Sequence, residues 1–303
     1  MFFRDSPLWA ALVFATMVSL RAPCRGQVSA EKAANIETAN VPPEAEESVS
    51  GIAGTRAPQE ERAHPLVPAI DFARARYNYI REHVRDFSCI LVKRERISGR
   101  LRGYEYIRTR VRLERKRDGR VVTPFSVYMH FLAPAAYKGR KVLYVEGQND
   151  GKMLVRNGGQ RFSYVTVRLE PESDAAMKES RYPITNAGLE NVARRLLEKA
   201  KDDMRFDPTG ENTEVTFFRA AKVDGRTCTR IRVVHATPDE NLNFHIANVY
   251  VDDELQVPIR VEGYGWPDGE EDDPPLLEEY TFTRLRLNVG LTDADFRPSL
   301  VGK

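Results

Sequence analysis

From Phe87 to Val289 the chain keeps returning to a period of two, with turn signals between the runs. Tyr104 to Arg115 is the clearest case. Ile107, Thr109, Val111 and Leu113 share one parity, while Arg108, Arg110, Arg112 and Glu114 share the other. Such alternation predicts strands with one face buried and one wet, the habit of an antiparallel sheet. Other strands are expected over Phe87–Ile97, Phe125–Leu132, Lys141–Glu146, Lys152–Arg156, Arg161–Leu169, Glu214–Ala221, Thr227–His235, Asn243–Val251, Gln256–Tyr264 and Glu279–Val289. Asp118-Gly119, Asp150-Gly151, Asn157-Gly158-Gly159 and Asp224-Gly225 supply hairpin turns. Connections this short rule out a parallel α/β fold, which needs a helix after each strand.

Two helices interrupt the pattern. Pro68 to Asp86 carries one apolar stripe, Ile70, Ala73, Tyr77, Ile80 and Val84. Ala187 to Met204 carries another, Leu189, Val192, Ala193, Leu196, Leu197 and Ala200, with Thr185 or Asn186 as its cap. An amphipathic helix must lie on something apolar. The expected fold is α+β: one strongly curved antiparallel sheet, a half-open β-barrel, with two main helices packed over its concave face.

The closing stretch, Leu276 to Phe296, poses a problem of parity. Tyr280 and Phe282 share one parity, and Leu285, Leu287 and Val289 the other. A flat strand cannot bury both sets on one face. Either a bulge near Thr283-Arg284 reverses the pleat, or both faces are covered.

Ahead of the sheet the composition changes twice. Arg4, the apolar run Leu8 to Leu20 and the small-residue site Val28-Ser29-Ala30 read as an export signal, residues 1–30, cleaved near Ala30. Cys24 raises the question of lipid attachment, although Arg-Ala-Pro before it suits such a site poorly. Residues 31–65 lack aromatics and hold seven acids against three bases, which reads as a disordered acidic tether before a single domain over 66–303. Residues 1–30 carry three of the 46 basic and one of the 44 acidic residues, which leaves 43 of each. A neutral chain is no nucleic-acid binder, since that would need a basic excess. No membrane span is expected in the mature chain. The two cysteines that remain, Cys89 and Cys228, are open to a disulfide in an oxidising compartment or to service as two buried thiols.

Motifs for catalysis are sparse. There is no Gly-x-Ser-x-Gly elbow, phosphate-binding glycine loop or His-Glu-x-x-His, so no catalytic residue, metal or cofactor is assigned. Lys93 and Glu95 share a strand face and form a possible polar site or acid–base pair. His235 and His245 could meet across a hairpin, Arg108, Arg110 and Arg112 could face solvent, and Asp268 to Asp273 reads as an acidic loop tip. The aromatics Tyr128, Tyr144, Tyr164, Phe244, Tyr280 and Phe282 are candidates for the lining of a cavity between sheet and helices. Leu189, Val192, Leu196 and Leu197 would form its lid.

Several segments resemble a known family. Asp252–Glu262, Tyr280–Phe282 and Leu287–Phe296 are similar to the C-terminal signature of the LolA-like lipoprotein-carrier superfamily. Phe87–Arg96, Pro124–Tyr128, Gly139–Lys152 and Ser180–Leu189 resemble, more closely, the secreted bacterial family known as domain of unknown function 1571. The likeness runs from about Pro65 to Pro298. The carrier resemblance implies a half-open barrel whose apolar cavity takes acyl chains. It supplies no functional residue for this chain. Three functions follow as expectations: a non-catalytic, exported binder or carrier of a lipid or lipoprotein acyl group; an envelope module that binds another protein; and a hydrolase using Lys93 and Glu95 in a cleft.

Overall fold

The computed structural model describes residues 63–159, 165–269 and 272–302. All of them belong to one compact unit, 45–303. The leader-like segment with Cys24 and Ala30, most of the acidic tether, and Tyr164 lie outside the described residues. The folded part begins a little before residue 66: His64 is buried, and its Nε2 donates to the carbonyl of Asp207 at 2.7 Å.

In chain order the elements are α1 (Val67–His83), β1 (Asp86–Ile97), β2 (Arg100–Leu101), β3 (Glu105–Arg112), β4 (Arg115–Arg117), β5 (Arg120–Thr123), β6 (Ser126–Ala133), β7 (Lys141–Val145), β8 (Met153–Arg156) and β9 (Thr166–Leu169). Then come α2 (Asp174–Met177), α3 (Leu189–Phe206), β10 (Thr213–Val223), β11 (Arg226–His235), β12 (Ile246–Asp252), β13 (Pro258–Tyr264) and β14 (Leu276–Leu287). The main sheet runs β10-β11-β12-β13-β14-β1-β3-β6-β7-β8-β9, antiparallel throughout, with β2 paired to β1. Its two ends do not pair, so the sheet curls without closing. Three hairpins turn on two residues that both have positive φ, Ser98-Gly99, Asp118-Gly119 and Asp224-Gly225. That is the geometry the right-handed twist of paired strands favours.

The parity problem of β14 is solved by a bulge. Ser88 pairs with Arg286, but Ile90 pairs with Thr283, so β14 holds one extra residue opposite Cys89. Arg284 takes up the distortion with φ 51°, and its N–H donates to Asp224 Oδ2 at 2.8 Å. The inserted residue reverses the pleat. Phe282 before it and Leu285 and Leu287 after it consequently join one core with Phe87, Ile107 and Val111.

The convex face is less wet than the alternation of β3 implies. Residues 291–301 fold back over it, and Phe296 and Val301 pack with Tyr128, Leu143, Val145 and Leu154. Arg110 and Arg112 are spent on this cover, at 3.2 Å from Asp295 and 2.7 Å from Asp293. Only Arg108 of the row stays exposed. Cys89 and Cys228 are both free and buried, so the open alternative of a disulfide resolves to two thiols. β12, β13 and β14 separate their strands in the sheet, whereas a bridge needs Cα atoms within about 7 Å. Burial pushes both thiols up, Cys228 to about 12, which leaves them inert. Among the described residues no helix is long and apolar enough to cross a membrane.

Candidate functional site

Helices α1 and α3 pack on each other through Leu66, Ile70 and Leu197, and lie over the concave face. Helix α3 starts at Gly188, not at a Thr185 or Asn186 cap. Gly188 has φ 98°, and a Cβ there would lie 3.2 Å from Val111 Cγ1. Only glycine lets the helix start this close to the sheet. Asn191 ties down the turn before it, donating to the carbonyls of Thr185 and Ala187 at 2.9 Å each.

Two cavities lie between the helices and the sheet. The first, about 270 Å³, has a floor of Phe87 and Leu91 from β1, Ile107, Thr109 and Val111 from β3, Met129 and Phe131 from β6, and Tyr280 and Phe282 from β14. Its roof is the strap from Pro171 to Gly188, including α2, with Val192 and Arg195 of α3. The second, about 450 Å³, lies under α3 and beside α1. Ile231, Val233, Ala247, Val249 and Val261 form its floor, and Leu196 and Phe244 stand in its wall. Tyr182, Val192, Arg195 and Tyr280 line both cavities.

At this junction the polar groups gather. The Arg195 guanidinium lies 3.4 Å above the centroid of the Tyr182 ring, and the Tyr182 and Tyr280 rings are 6.3 Å apart. Tyr182 Oη donates to Glu278 Oε2 at 2.7 Å, and Arg181 Nε donates to the same oxygen at 2.9 Å. Tyr280 Oη donates to Glu95. Lys93 Nζ stands 3.0 Å from Glu95 and 3.4 Å from Glu105. On the far side Arg140 reaches Glu179 of the strap at 2.6 Å. The strap is thus held at its rims by ion pairs and along its length by Ala176, Ile184 and Ala187, which pack against the core.

The electrostatics follow from burial. Glu105 and Glu278 are both held above the ordinary carboxylate range, chiefly by burial, which the nearby cations only partly offset. Burial alone would lower Lys93, but the Glu95 and Glu105 carboxylates outweigh it and hold the ammonium on. A lysine so held keeps its proton, and its lone pair with it. The trio of one ammonium and two carboxylates is one negative charge in excess. A raised carboxyl pKa adds stability that is fully present below the unfolded value, about 4.5, and is lost as pH rises through the folded value. Glu105→Gln, which keeps the shape and removes the surplus charge, is expected to raise the melting temperature at pH 7.5 by roughly 2–4 °C, the shift that about 1 kcal/mol gives a domain of this size. The gain should vanish as the pH is lowered toward 4.5. Thermal melts of both proteins across that range would test this, and a lower melting temperature for the variant at pH 7.5 would refute it.

The structure sorts the sequence candidates. Tyr280 and Phe282 line the first cavity, and Phe244 and Tyr280 the second. Tyr144 is buried beside Phe125, ring centroids 6.3 Å apart, away from either cavity. Tyr128 points to the convex face, because it alternates with Val127 and Met129, which turn inward. Of the four lid positions, Val192 and Leu196 face the cavities, while Leu189 and Leu197 are packed into the core. Lys93 and Glu95 do come together in the first cavity, with Glu105 as an unforeseen third member from the neighbouring strand. His235 and His245 do not converge. His245 Nδ1 contacts the His235 carbonyl at 2.7 Å, and the His235 ring faces Thr213 at 3.1 Å and Asp203 at 3.4 Å. Among the described residues no group of His, Cys, Asp and Glu is placed to hold a metal ion. The acidic loop at 268–273 is described only in part. The strap was missed as a roof because it has no period to read; Tyr182-Pro183, an aromatic before a rigid turn, is the trace it leaves in the sequence.

The model of the family described as "Protein of unknown function (DUF1571)" matches residues 84–300. The chain belongs to this family. No curated protein matches it. Several solved structures are similar at low identity. A DUF1329 family protein from Desulfovibrio piger is 17% identical over 79% of this chain and 100% of that one, with a TM-score of 0.38. The Pseudomonas aeruginosa MucA/MucB complex gives 14% over 78% of this chain and 63% of that one, with a TM-score of 0.43. A LolA superfamily protein from Nitrosomonas europaea gives 10% over 76% and 98%, with a TM-score of 0.27.

Proposed function

We propose that this member of the DUF1571 family is a non-catalytic binder or carrier of an acyl-bearing lipid or lipoprotein, with the acyl chain held under α3. One observation carries the reading: two apolar-floored cavities, about 270 and 450 Å³, that share Tyr182, Val192, Arg195 and Tyr280 along their border. A chain threaded along that border would gain about 0.8 kcal/mol for each methylene removed from water. The polar groups at the junction would meet the head of such a ligand, and the strap, fastened by Arg181–Glu278 and Arg140–Glu179, would be the part that lifts to admit it. Lys93 takes no base's role in this reading, since its ammonium is clamped between two carboxylates.

The leader-like composition of residues 1–30 supports export to the cell envelope, with the tether up to residue 65 setting the domain apart. Mass spectrometry of the protein recovered from envelope fractions bears on both halves of the proposal. A mass beginning after Ala30 and an organic-extractable lipid in stoichiometric amount are the expected results. The delipidated protein should then take up a dansylated fatty acid saturably, at one chain per molecule. Absence of co-purifying lipid together with no saturable uptake would overturn the carrier reading. A protein partner recovered without lipid would favour the interaction module instead.

A further inference from the structure

Strands β4 and β5 pair only with each other. They form a ribbon that stands off the main sheet, and residues 116–122 are exposed without a break. Val121 and Val122 are 50% and 59% exposed, the most exposed large hydrophobic residues among those described. Lys116 and Arg117, adjacent on β4, point to opposite faces and are both exposed, so the body of the protein covers neither face of the ribbon; Val122 is the extra residue of a bulge in β5. A single exposed valine would call for no explanation, but two at a projecting tip are a different matter.

The charges around them have one predominant sign. Lys116, Arg117 and Arg120 are exposed on the ribbon against Asp118 at its turn and Glu114 at its base, which stands 2.9 Å from Lys116. Arg81 and Arg85 are exposed at its root, with Glu82 exposed between them. The root is built in: the Arg115 guanidinium donates to the carbonyls of Arg81 and Val84, at the C-terminal end of α1. Val289, 36% exposed, lies at the same end, since the side chain of its neighbour Asn288 bonds to the Arg85 amide and the His83 carbonyl. The start of α3 is close by, with Glu190 at 3.6 Å from Arg81.

A projecting tip with two exposed valines and a basic excess beside it fits a medium that can surround it, with negative charge at the entrance. The interfacial layer of a bilayer containing anionic lipid is such a medium: apolar side chains enter the acyl boundary while lysine and arginine meet the headgroups. We propose that the β4–β5 ribbon docks the protein on an anionic bilayer surface, with the N-terminal end of α3 beside the contact. None of the ribbon residues lines either cavity, so this inference stands apart from acyl binding.

The purified protein is sedimented with phosphatidylcholine vesicles made with and without phosphatidylglycerol. It should pellet only with the anionic vesicles, and less as salt is raised. Val121→Ser/Val122→Ser and Lys116→Glu/Arg117→Glu/Arg120→Glu should each lower the partition about tenfold or more. Lys201→Glu, on the outside of α3, should leave it unchanged. Circular dichroism and melting temperature of the ribbon variants should match the parent, since these side chains are exposed. Val192→Trp, in the cavity border, should still bind vesicles, which separates failure of this proposal from failure of the carrier reading. Equal binding to both vesicle types, no binding to anionic vesicles at low salt, or ribbon variants that bind like the parent would each overturn it.

Discussion

Replacing Val192 by Trp is expected to weaken uptake of a dansylated fatty acid by at least about tenfold. Val192 is the residue of α3 that, with Arg195, borders both cavities. An indole there would fill the passage between them and leave a threaded chain no continuous path. The cost to folding should be small, about 1 kcal/mol, at the low end for an enlarged side chain because there is space to receive it. Loss of binding with an almost unchanged melting temperature would separate occlusion from unfolding. Lys201→Trp, on the exposed side of the same helix, should bind the probe like the parent. An unchanged affinity in Val192→Trp would mean that the chain does not lie across this border.

The largest effect on stability is expected from Asp252→Ala, a loss of roughly 2–3 kcal/mol, the order that several hydrogen bonds to one buried charged group lose together when the partner guanidinium is part-exposed. Asp252 is 1% exposed and closes the turn from β12 to β13. Its carboxylate accepts from Arg226 on β11 and from the amides of Glu254 and Leu255 at 2.9 and 2.8 Å. Burial alone would raise its pKa; the Arg226 hydrogen bond and the two amides outweigh it and hold the group below the ordinary value. The stability it gives is therefore present above the unfolded value of about 3.8 and is lost as pH falls through the folded one. Alanine would strip the guanidinium and both amides of their acceptor together. Urea denaturation at neutral pH would measure the change, with Asp252→Asn falling between alanine and the parent. A loss below about 1 kcal/mol would show that solvent satisfies the turn unaided.

How legible all this is in the sequence depends on the kind of information each residue carries. The alternation from Ile107 to Val111 shows the buried face of β3 because burial there repeats every second residue. The parity conflict within β14 shows that a bulge was one of two solutions, and the register at Ser88 and Ile90 places it. Tyr128 shows the opposite lesson: its own parity, against Met129 and Phe131, was sufficient to exclude it from the cavity. Glu105 could not be joined to Lys93, because that pairing needs the β1–β3 register, which no local pattern carries. The cover over Arg110 and Arg112 likewise comes from a tail more than 180 residues away. The strap from Pro171 to Gly188 leaves the least trace of all. Its fastening is a set of long-range ion pairs, and only three-dimensional placement makes those partners.

The unpaired ends of the sheet bear on how much the protein can hold. A closed barrel has a circumference fixed by its strand count and stagger, so its interior can grow only if hydrogen bonds break. Here β9 and β10 are free of each other. The edges β9 and β10 share no ladder, so widening the gap between them would break none, as a hand opens without losing a finger. On the carrier reading, capacity would be governed by how firmly α1, α3 and the strap clasp the open side, and one scaffold would accommodate acyl chains of unequal girth.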